Sequence, residues 1–570
     1  MFKTGNDNIA VLHEIPPYTI EQFLCIIAFS CFGRWREPKG LRLGDNMRTH
    51  RASRSIWIIA SLLFLASFGI SQTAPAPAPH VSGAPAAAEP AEQKAARYFE
   101  SVKGQPSLLL NFLRAMPKGG DLHNHMTGAV YAESYIRWAA AGNLCADRKT
   151  LALAAPPCKN GQVEAKQALT DPVLYRNLID AWSMRGWPWS QMSAHDHFFD
   201  TFLKFDPAGV GHYGDMLAEL AARNADGNVQ YVELMFSPDE FRSIGIGVNA
   251  GWNDNFSTMR DKMLAAGIKD LVSDSRRKLD GWEARRDDLL HCRDTNKSRA
   301  AAGCEVEMKY IFQVLRGLPR EQVFAQILTA FEMAQADTRV VALNLVMPED
   351  ALIPMRDFSL HMRMLNFLHE IYPNVHITLH AGELAPGLVP PDALRFHIRE
   401  SIEVGHAERI GHGVDVMWED DPFGLLAEMA QKDILTEICL TSNDMILGIK
   451  GKQHPLAMYL KYGVPVALAT DDEGVARSEM TREYLKAVDE QGLDYLTLKK
   501  MARNSLEYAF APGASLWQDA KHFVPVKECA YEKPSMKTVS AGCEKFLSAS
   551  DKAQLQWRTE KAFAEFESRY

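Results

Sequence analysis

The stretch Met116-Pro-Lys-Gly-Gly-Asp-Leu-His-Asn-His-Met-Thr-Gly128 sets the architecture of this 570-residue chain. Its central part, residues 119–125, has the composition of a short buried strand that ends in two histidines one residue apart. Side chains alternate between the two faces of a strand, so His123 and His125 point the same way. Two converging imidazoles suit a zinc ion, which binds nitrogen ligands at about 2.0–2.1 Å. Taken alone, the motif leaves open a pair of unrelated surface histidines.

Three later apolar runs also end in side chains that can carry chemistry, and a helix-like stretch follows each of them. The side chains are His380 with Glu383, His412, and the pair Asp471 and Asp472. In a barrel of eight parallel strands and eight helices, the carboxyl ends of the strands meet at one face, where the chemistry gathers. The pattern therefore predicts an α/β protein with a (β/α)8 TIM barrel and its site at that face.

Eight strand-like segments separated by helix-length intervals complete this prediction. They are residues 119–125, 228–236, 306–315, 340–346, 375–380, 409–412, 434–439 and 464–470. The barrel domain is predicted to span residues 95–570, with inserted segments near 145–191 and 251–302, the second of them over the barrel mouth. A further His-x-His, His195 and His197, has apolar neighbours at helical spacing, and residues two apart on a helix point apart. Packing or capping is therefore predicted for this pair.

Composition narrows the class of protein. Apolar residues make up 47% of the chain, which is ample for a large core. The formal net charge of −9 gives no reason to expect a nucleic-acid partner.

The amino-terminal part has the composition of an export signal. Residues 47–54 are basic, residues 56–70 are almost entirely apolar, and the small Gly69 and Ser71 stand at cleavage positions. We predict a signal peptide over 47–72, an upstream extension over 1–46 with Met47 as the true start, and an Ala/Pro-rich linker over 73–94. The mature protein is then exported, periplasmic or extracellular, with no stable membrane association after cleavage. An uncleaved membrane anchor is the alternative.

Seven cysteines follow the linker, and six of them form close-spaced couples in polar stretches. The couples are Cys145 with Cys158, Cys292 with Cys304, and Cys529 with Cys543, whereas Cys439 is left over in an apolar strand. Local disulfides are predicted for an oxidising compartment, although spacing cannot prove connectivity. Free thiols in a cytosolic protein are the alternative.

The motifs, in this order, resemble those of the adenosine deaminase family of metal-dependent hydrolases. They are HxH on strand one, HAGE at strand five, GHG at strand six and TDD at strand eight, together with Ser442-Asn443, His454-Pro-Leu456 and Ala502-Arg-Asn-Ser-Leu-Glu-Tyr508. The resemblance covers residues 116–510. The signal-like segment and the insertions look more like the secreted adenosine-deaminase-related growth factor branch than the compact cytosolic enzymes.

The resemblance implies one zinc ion per chain, held by His123, His125, His380 and Asp471. Three neutral imidazoles and one carboxylate suit zinc on chemical grounds as well, and they leave a position for water. The resemblance further implies that His412 takes the proton of the attacking water, that Glu383 is the general acid, and that Asp472 accepts a hydrogen bond from the purine edge. The expected reaction is hydrolytic deamination of adenosine and 2′-deoxyadenosine, which gives inosine from adenosine and releases ammonia.

Some positions depart from the family pattern. Thr127 stands where many members have Asp, and Leu440 and Glu473 stand where Pro is common. Met347 stands where the family has a glycine whose N–H meets the purine. Met347 keeps a backbone N–H for the substrate but adds bulk beside it.

Other functions are weighed against this one. A non-catalytic, growth-factor-like binding protein on the same scaffold would have no need of an intact set of ligands and acid–base residues. A deaminase of another 6-aminopurine remains an alternative, and a homodimer is left open. A two-metal amidohydrolase would need a lysine on strand four, and residues 340–346 contain none. The zinc deaminases that use a CxxC motif are excluded because the chain has no CxxC.

Overall fold

The structure is a computed structural model that describes residues 89–294 and 301–570. The predicted upstream extension and signal peptide, and the predicted linker as far as residue 88, lie outside the described residues. Residues 91–94, which the prediction assigns to the linker, form the first turn of a helix that begins at Ala91. Within the described ranges, no helix combines the length and the apolar character needed to cross a membrane.

A parallel barrel of eight strands forms the centre of the molecule. The strands are β1 Gly120–His125, β2 Tyr231–Phe236, β3 Glu307–Leu315, β4 Val340–Val346, β5 His376–Ala381, β6 Arg409–His412, β7 Leu435–Ile438 and β8 Val466–Leu468. They pair in chain order, and every pairing is parallel. Just beyond β8, Asp471 bridges to Asn124 in β1 and brings the two edges together. The predicted (β/α)8 barrel and its eight strands are confirmed.

Helices surround the barrel and fill the segments between strands. They are α1 Ala91–Val102, α2 Pro106–Ala115, α3 Met126–Ala129, α4 Ala132–Ala141, α5 Pro172–Ala181, α6 Ala194–Gly209, α7 Tyr213–Asp226, α8 Ser243–Ala250, α9 Phe256–Ala265, α10 Ile268–Leu289, α11 Arg320–Ala336, α12 Leu352–His369, α13 His397–Glu403, α14 Pro422–Gln431, α15 Leu440–Leu447, α16 Leu456–Tyr462, α17 Glu473–Ala476, α18 Met480–Gln491, α19 Tyr495–Glu507, α20 Ala541–Ser548 and α21 Asp551–Glu567. Between α4 and α5, a small antiparallel sheet of Cys145–Asp147, Leu153–Ala154 and Gln162–Glu164 lies in the predicted insertion 145–191.

The predicted position of segment 251–302 over the barrel mouth is wrong. Its long helix α10 packs between α7 and α11 in the outer ring of the barrel. The Glu283 carboxylate of α10 accepts a hydrogen bond from the Tyr310 hydroxyl in β3 (2.8 Å) and pairs with Arg339 beside β4 (2.7 Å). The buried stripe of α10, which includes Ile268, Leu271 and Leu279, gives the physical reason. An amphipathic helix of this length stabilises the fold by burying its apolar face against other elements.

The carboxyl-terminal segment closes the amino end of the barrel. Leu555 of α21 packs with Leu506 and Ala509 against apolar side chains from the strands, including Leu122 of β1 and Tyr231 of β2. The Arg558 guanidinium of α21 donates to the Gln230 carbonyl just before β2 (2.8 Å). The interior of the barrel is therefore reached from the carboxyl ends of the strands.

The three predicted disulfides are confirmed: Cys145–Cys158, Cys292–Cys304 and Cys529–Cys543 are bonded. Cys439 is a free, buried thiol at the end of β7. Peptide mapping of unreduced protein should therefore find these three linked pairs. Cys439 should react with an alkylating reagent only after the protein is unfolded. A linked peptide that contains Cys439, or exchange of partners between the couples, would contradict this prediction.

Candidate active site

Four side chains converge at the carboxyl end of the barrel. His123 Nε2 lies 3.1 Å from His380 Nε2, and His125 Nε2 lies 3.2 Å from the same atom. Asp471 Oδ1 is 3.6 Å from His123 Nε2 and 3.3 Å from His125 Nε2. The structure thus brings together the four predicted metal ligands. His123 and His125 come from β1, His380 comes from β5, and Asp471 comes from the loop after β8.

The Nδ1 atom of each of the three imidazoles contacts a side-chain oxygen. The Nδ1 contacts are His123 to Glu437 Oε2 (2.7 Å), His125 to Gln313 Oε1 (3.1 Å) and His380 to Asn344 Oδ1 (2.9 Å). Oxygen acceptors of this kind require the proton on Nδ1 of a neutral histidine. The orientation of the Asn344 amide is fixed because its Oδ1 also accepts from the His380 backbone N–H (3.0 Å). All three Nε2 lone pairs are therefore free and directed at one point.

This arrangement fits a metal ion. Unprotonated nitrogens 3.1–3.2 Å apart repel one another and the Asp471 carboxylate unless a cation lies between them. Four ligand atoms placed tetrahedrally about 2.0–2.1 Å from a zinc ion would be roughly 3.3–3.4 Å apart. The measured separations of 3.1–3.6 Å bracket that value. The donor set can hold a divalent metal in a mostly nitrogen environment.

Three strand ends carry backbone strain at the site. Met347 after β4, His412 at the end of β6 and Asp471 beyond β8 have φ values of +90°, +68° and +60°. Residues other than glycine rarely adopt this left-handed conformation, and each such residue costs about 1–3 kcal/mol. Strain of this size persists where surrounding contacts fix the backbone. At Asp471 these include the bond from the Ser442 hydroxyl to Oδ2 (2.5 Å).

Glu383 lies beside the predicted metal ligands with its carboxyl group free. Its backbone N–H donates to Glu349 Oε2 (2.8 Å), and the Gly382 N–H donates to Oε1 of the same carboxylate (3.1 Å). Over the described part of the chain, no hydrogen bond reaches the Glu383 carboxyl, and its Oε1 lies 3.8 Å from His412 Nε2. Burial, and then the charges of Asp471 and Glu349, hold the pKa of Glu383 well above its ordinary value. This environment favours the protonated form of the Glu383 carboxyl group.

Asp472 also faces the site as a buried carboxyl group. Burial, with the charges of Asp471 and Glu383, raises its pKa well above the ordinary range. Its Oδ1 has no hydrogen-bond partner. Gly128 makes room for it, because a Cβ at that position would lie 1.5 Å from Asp472 Oδ1. An unpaired, buried polar atom of this kind is available to a ligand.

His412 is held by a buried chain of hydrogen bonds. The Leu456 backbone N–H donates to His454 Nδ1 (3.2 Å), so the neutral His454 carries its proton on Nε2 and donates to Asn443 Oδ1 (3.1 Å). The Asn443 amide then donates to His412 Nδ1 (2.9 Å). Burial lowers the pKa of His412 to about 3, so the ring is neutral. Its proton therefore sits on Nε2, which faces the site and has no partner.

Met347 lies at the edge of the site with its carbonyl turned away from it. The Arg316 guanidinium donates to that carbonyl (3.2 Å) and also to the His380 carbonyl (3.0 Å). The Met347 side chain lies over Gly317, where an added Cβ would meet the Met347 Cε at 2.8 Å. The absence of a side chain at Gly317 accommodates the bulk that methionine introduces.

The second His-x-His contributes no ligand to the four-residue cluster. His197 is buried and its Nε2 contacts the Ser183 carbonyl (3.1 Å), whereas His195 Nε2 contacts Asp350 Oδ1 (3.1 Å) at the end of β4. Both lie on α6, where residues two apart point in different directions. The prediction of a packing role for this pair is confirmed for His197.

Sequence reasoning missed the residues that contact the predicted ligands and Glu383. They are Gln313, Arg316, Asn344, Glu349 and Glu437, all at or near strand ends. One signal was present in the sequence: Asn344 and Glu437 interrupt otherwise apolar runs, and a polar residue at an inward strand position needs a buried partner. Asn443 and His454 lie in the motifs Ser442-Asn443 and His454-Pro-Leu456, but the spacing of these motifs did not indicate what the two residues do.

Comparisons with known sequences agree with this geometry. Residues 283–516 match the adenosine deaminase family model. Adenosine deaminase from Serratia proteamaculans is 39% identical over 137 residues, which cover 24% of this chain and 38% of that protein. Adenosine deaminase from Pectobacterium atrosepticum is 36% identical over 179 residues, covering 31% and 48%. The chain thus spans less than half the length of the curated relatives that it matches.

Among solved structures, the N6-mAMP deaminase from Arabidopsis aligns with a TM-score of 0.46 at 19% identity, covering 70% of this chain and 96% of that one. The adenine deaminase from Arthrobacter aurescens aligns with a TM-score of 0.44 at 17% identity, covering 70% and 94%. The family-model match and the two bacterial relatives thus show that part of this chain is similar to the adenosine deaminase family.

Proposed function

We propose that the protein is a zinc-dependent hydrolase that removes the 6-amino group of adenosine and 2′-deoxyadenosine as ammonia. The observation that carries this proposal is the convergence of three free Nε2 lone pairs and one carboxylate beside the buried, unpaired Glu383. Zinc is the proposed metal because imidazole nitrogens and a carboxylate are ligands that it favours. The family match supports purine deamination as the reaction class.

When bound, the metal supplies a Lewis-acid centre that lowers the pKa of water. The oxygen of water adds to C6 of the purine, which breaks the aromaticity of the ring and moves electron density to N1. Glu383 delivers its proton to N1 and regains one from the attacking water. The remaining proton on the C6 oxygen passes to the 6-amino group, the C6–N bond breaks, and ammonia leaves a C6 carbonyl. Asp472 holds the purine edge, and the Met347 backbone N–H is proposed as a further contact to the base.

His412 is proposed to orient the attacking oxygen by donating its Nε2–H. The predicted role as a proton acceptor needs a free lone pair on Nε2, whereas the hydrogen-bond chain from Leu456 favours the tautomer with a proton there. A donor aimed at the position of the nucleophile stabilises the charge that develops on it.

Export of the protein is part of the proposal. The three local disulfides support an oxidising compartment, because such bonds are rare in reducing cytosol. A nucleoside from the surroundings is then the proposed partner, with no nucleic acid and no stable membrane association after signal cleavage.

The direct test is a panel of purine nucleosides, nucleotides and free bases, with ammonia release and zinc content measured on the same protein. Ammonia from adenosine and 2′-deoxyadenosine is the expected result. If only another 6-aminopurine is turned over, the proposed substrate is wrong but the proposed deamination reaction stands. Tight nucleoside binding with no ammonia released would instead support the non-catalytic, growth-factor-like alternative.

The hydrogen-bond chain behind His412 gives a further prediction. Replacing His454 with phenylalanine should lower kcat about 10–100-fold, as for other partners that orient a group at a metal site, while zinc content stays normal. Without His454, no donor would orient the Asn443 amide, and the proton of His412 would no longer be fixed on Nε2. The pH–rate profile should therefore also change. His454→Gln can still donate to Asn443 and should recover part of the activity. Equal activity in both variants, or parallel loss of zinc, would contradict the assignment.

A further inference from the structure

The turn at Gly382 and Glu383, directly after β5, carries the proposed acid into the site. The Glu383 carboxyl group receives no hydrogen bond from the described part of the chain, so the backbone of this turn sets its position. The Gly382 carbonyl accepts from the Val414 N–H (2.8 Å) and the Asp415 N–H (3.2 Å) in the loop after β6. Gly382 has a φ of +74°, and an added Cβ would lie 2.4 Å from Asp415 Oδ1. The loop after β6 therefore fixes one side of the turn.

The Glu349 carboxylate, in the loop after β4, holds the other side. It accepts from the N–H groups of Gly382 (3.1 Å) and Glu383 (2.8 Å), and the residue is buried. Arg316 Nη2 lies 3.9 Å from Glu349 Oε2, which is beyond hydrogen-bond distance. Burial favours the neutral acid, but the hydrogen bond from His397 and nearby positive charge hold the pKa of Glu349 below its ordinary value. The turn therefore depends on a buried carboxylate that needs a donor of its own.

His397, the first residue of α13, supplies that donor. Its Nδ1 lies 2.5 Å from Glu349 Oε1, and because a carboxylate only accepts, Nδ1 carries the proton. The imidazole is fully buried and stacks on the Phe358 ring of α12, with centroids 3.8 Å apart and planes 4° apart. In the described part of the chain, its Nε2 has no hydrogen-bond partner. Stacking thus fixes the ring plane in which Nδ1 meets the carboxylate.

The start of α13 is itself anchored. Glu419 Oε1, in the loop after β6, accepts from the Ile398 N–H (2.6 Å) and the Arg399 N–H (3.3 Å). These are among the first N–H groups of the helix, which lack partners within the helix itself. The helix also packs against α12 and β5. A continuous set of contacts thus runs from α13 through His397 and Glu349 to the backbone of the proposed acid.

We propose that His397 is a positioning residue for the deamination, because its Nδ1–H fixes the carboxylate that holds the turn at Glu383. This inference rests on the proposed function, in which Glu383 delivers a proton to N1. Such a transfer requires the acid within hydrogen-bond reach of the atom that it protonates. Without the donor, the Glu349 carboxylate is free to turn away, and the N–H groups of Gly382 and Glu383 lose their common acceptor. The Glu383 carboxyl group then leaves the position that proton transfer requires.

The test compares His397→Leu, which removes the donor, with His397→Asn, which keeps an N–H near the position of Nδ1. For adenosine, His397→Leu should lower kcat about 10–100-fold with normal zinc content, as for other displacements of a reacting group by up to about 1 Å. His397→Asn should recover much of that loss. His361→Leu is the matched control, because His361 on α12 is buried and neither ring nitrogen has a partner in the described residues. It loses no hydrogen bond and should stay within about twofold of wild type.

A double-mutant cycle with Glu383→Gln separates positioning from general stabilisation of the fold. If His397 acts through the acid, His397→Leu should cost less than about threefold in the Glu383→Gln background. Phe358→Leu loosens the imidazole without removing its Nδ1–H, and its smaller loss should likewise vanish without the acid. A penalty for either change that persists in the Glu383→Gln background would overturn the proposal. So would equal losses in His397→Leu and His397→Asn, or zinc lost in parallel with turnover.

Amide hydrogen exchange in the peptide that contains Gly382 and Glu383 gives a readout that does not depend on turnover. Exchange there should be faster in His397→Leu than in wild type and in His361→Leu. Faster exchange in a protein that deaminates no 6-aminopurine would keep the link from His397 to the turn and overturn the proposed reaction. Deamination by the wild type with unchanged exchange in His397→Leu would overturn the positioning role alone.

Discussion

Replacing Glu383 with glutamine should lower kcat for adenosine by about 10²–10⁴-fold, which corresponds to about 3–5 kcal/mol of barrier. Glutamine keeps the size and shape of the side chain but has no proton that it can transfer to N1. The backbone at this position should not move, because both N–H groups that Glu349 accepts belong to the main chain. Folding and zinc content should therefore be normal.

The Glu383→Gln measurement needs turnover and metal content on the same samples. Glu408→Gln is the matched control, since Glu408 lies at the other end of the barrel, where it pairs with His376. That control should keep wild-type turnover. Near-normal turnover in Glu383→Gln, or zinc lost in parallel with activity, would show that Glu383 is not the acid.

Replacing His380 with alanine should remove both metal and activity. The variant keeps only three of the four converging ligand atoms, and Asn344 loses the ring that it orients. Loss of an outer partner alone costs about 10–100-fold in metal affinity or activity, so loss of a ligand should exceed about 10²-fold.

His376→Ala is the control for His380→Ala because both residues lie on β5, His376 at its amino end and half exposed. Metal analysis after dialysis and ammonia release should separate the two variants, with His376→Ala close to wild type. Full metal and full turnover in His380→Ala would contradict the assigned ligand set.

Much of the fold could be predicted because short-range patterns specify it. Each barrel strand is an apolar run with clear ends, and the residues that follow these runs had to meet at one face. The disulfides were predictable for a similar reason, since each couple is close in the sequence and lies in polar, loop-like segments.

The position of α10 depended on tertiary packing. A charged, amphipathic segment can lie over a barrel mouth or in its outer ring, and the sequence pattern is the same in both cases. The contacts of Glu283 with Tyr310 and Arg339 place α10 in the outer ring. They join residues far apart in the chain, so the sequence pattern alone does not predict them.

The proposed role of His412 also required the structure. The GHG motif identifies His412, but the position of its proton follows from a backbone N–H at Leu456 acting through two side chains.

The measurement that tests the central claim most directly is ammonia release from adenosine by purified protein before chelation, after chelation and after zinc is restored. One zinc ion per chain, turnover that falls with the metal, and recovery in proportion to the zinc regained are the results expected of the site formed by His123, His125, His380 and Asp471. Undiminished turnover by metal-free protein would contradict this account. So would a fully zinc-loaded protein that releases no ammonia from any 6-aminopurine nucleoside.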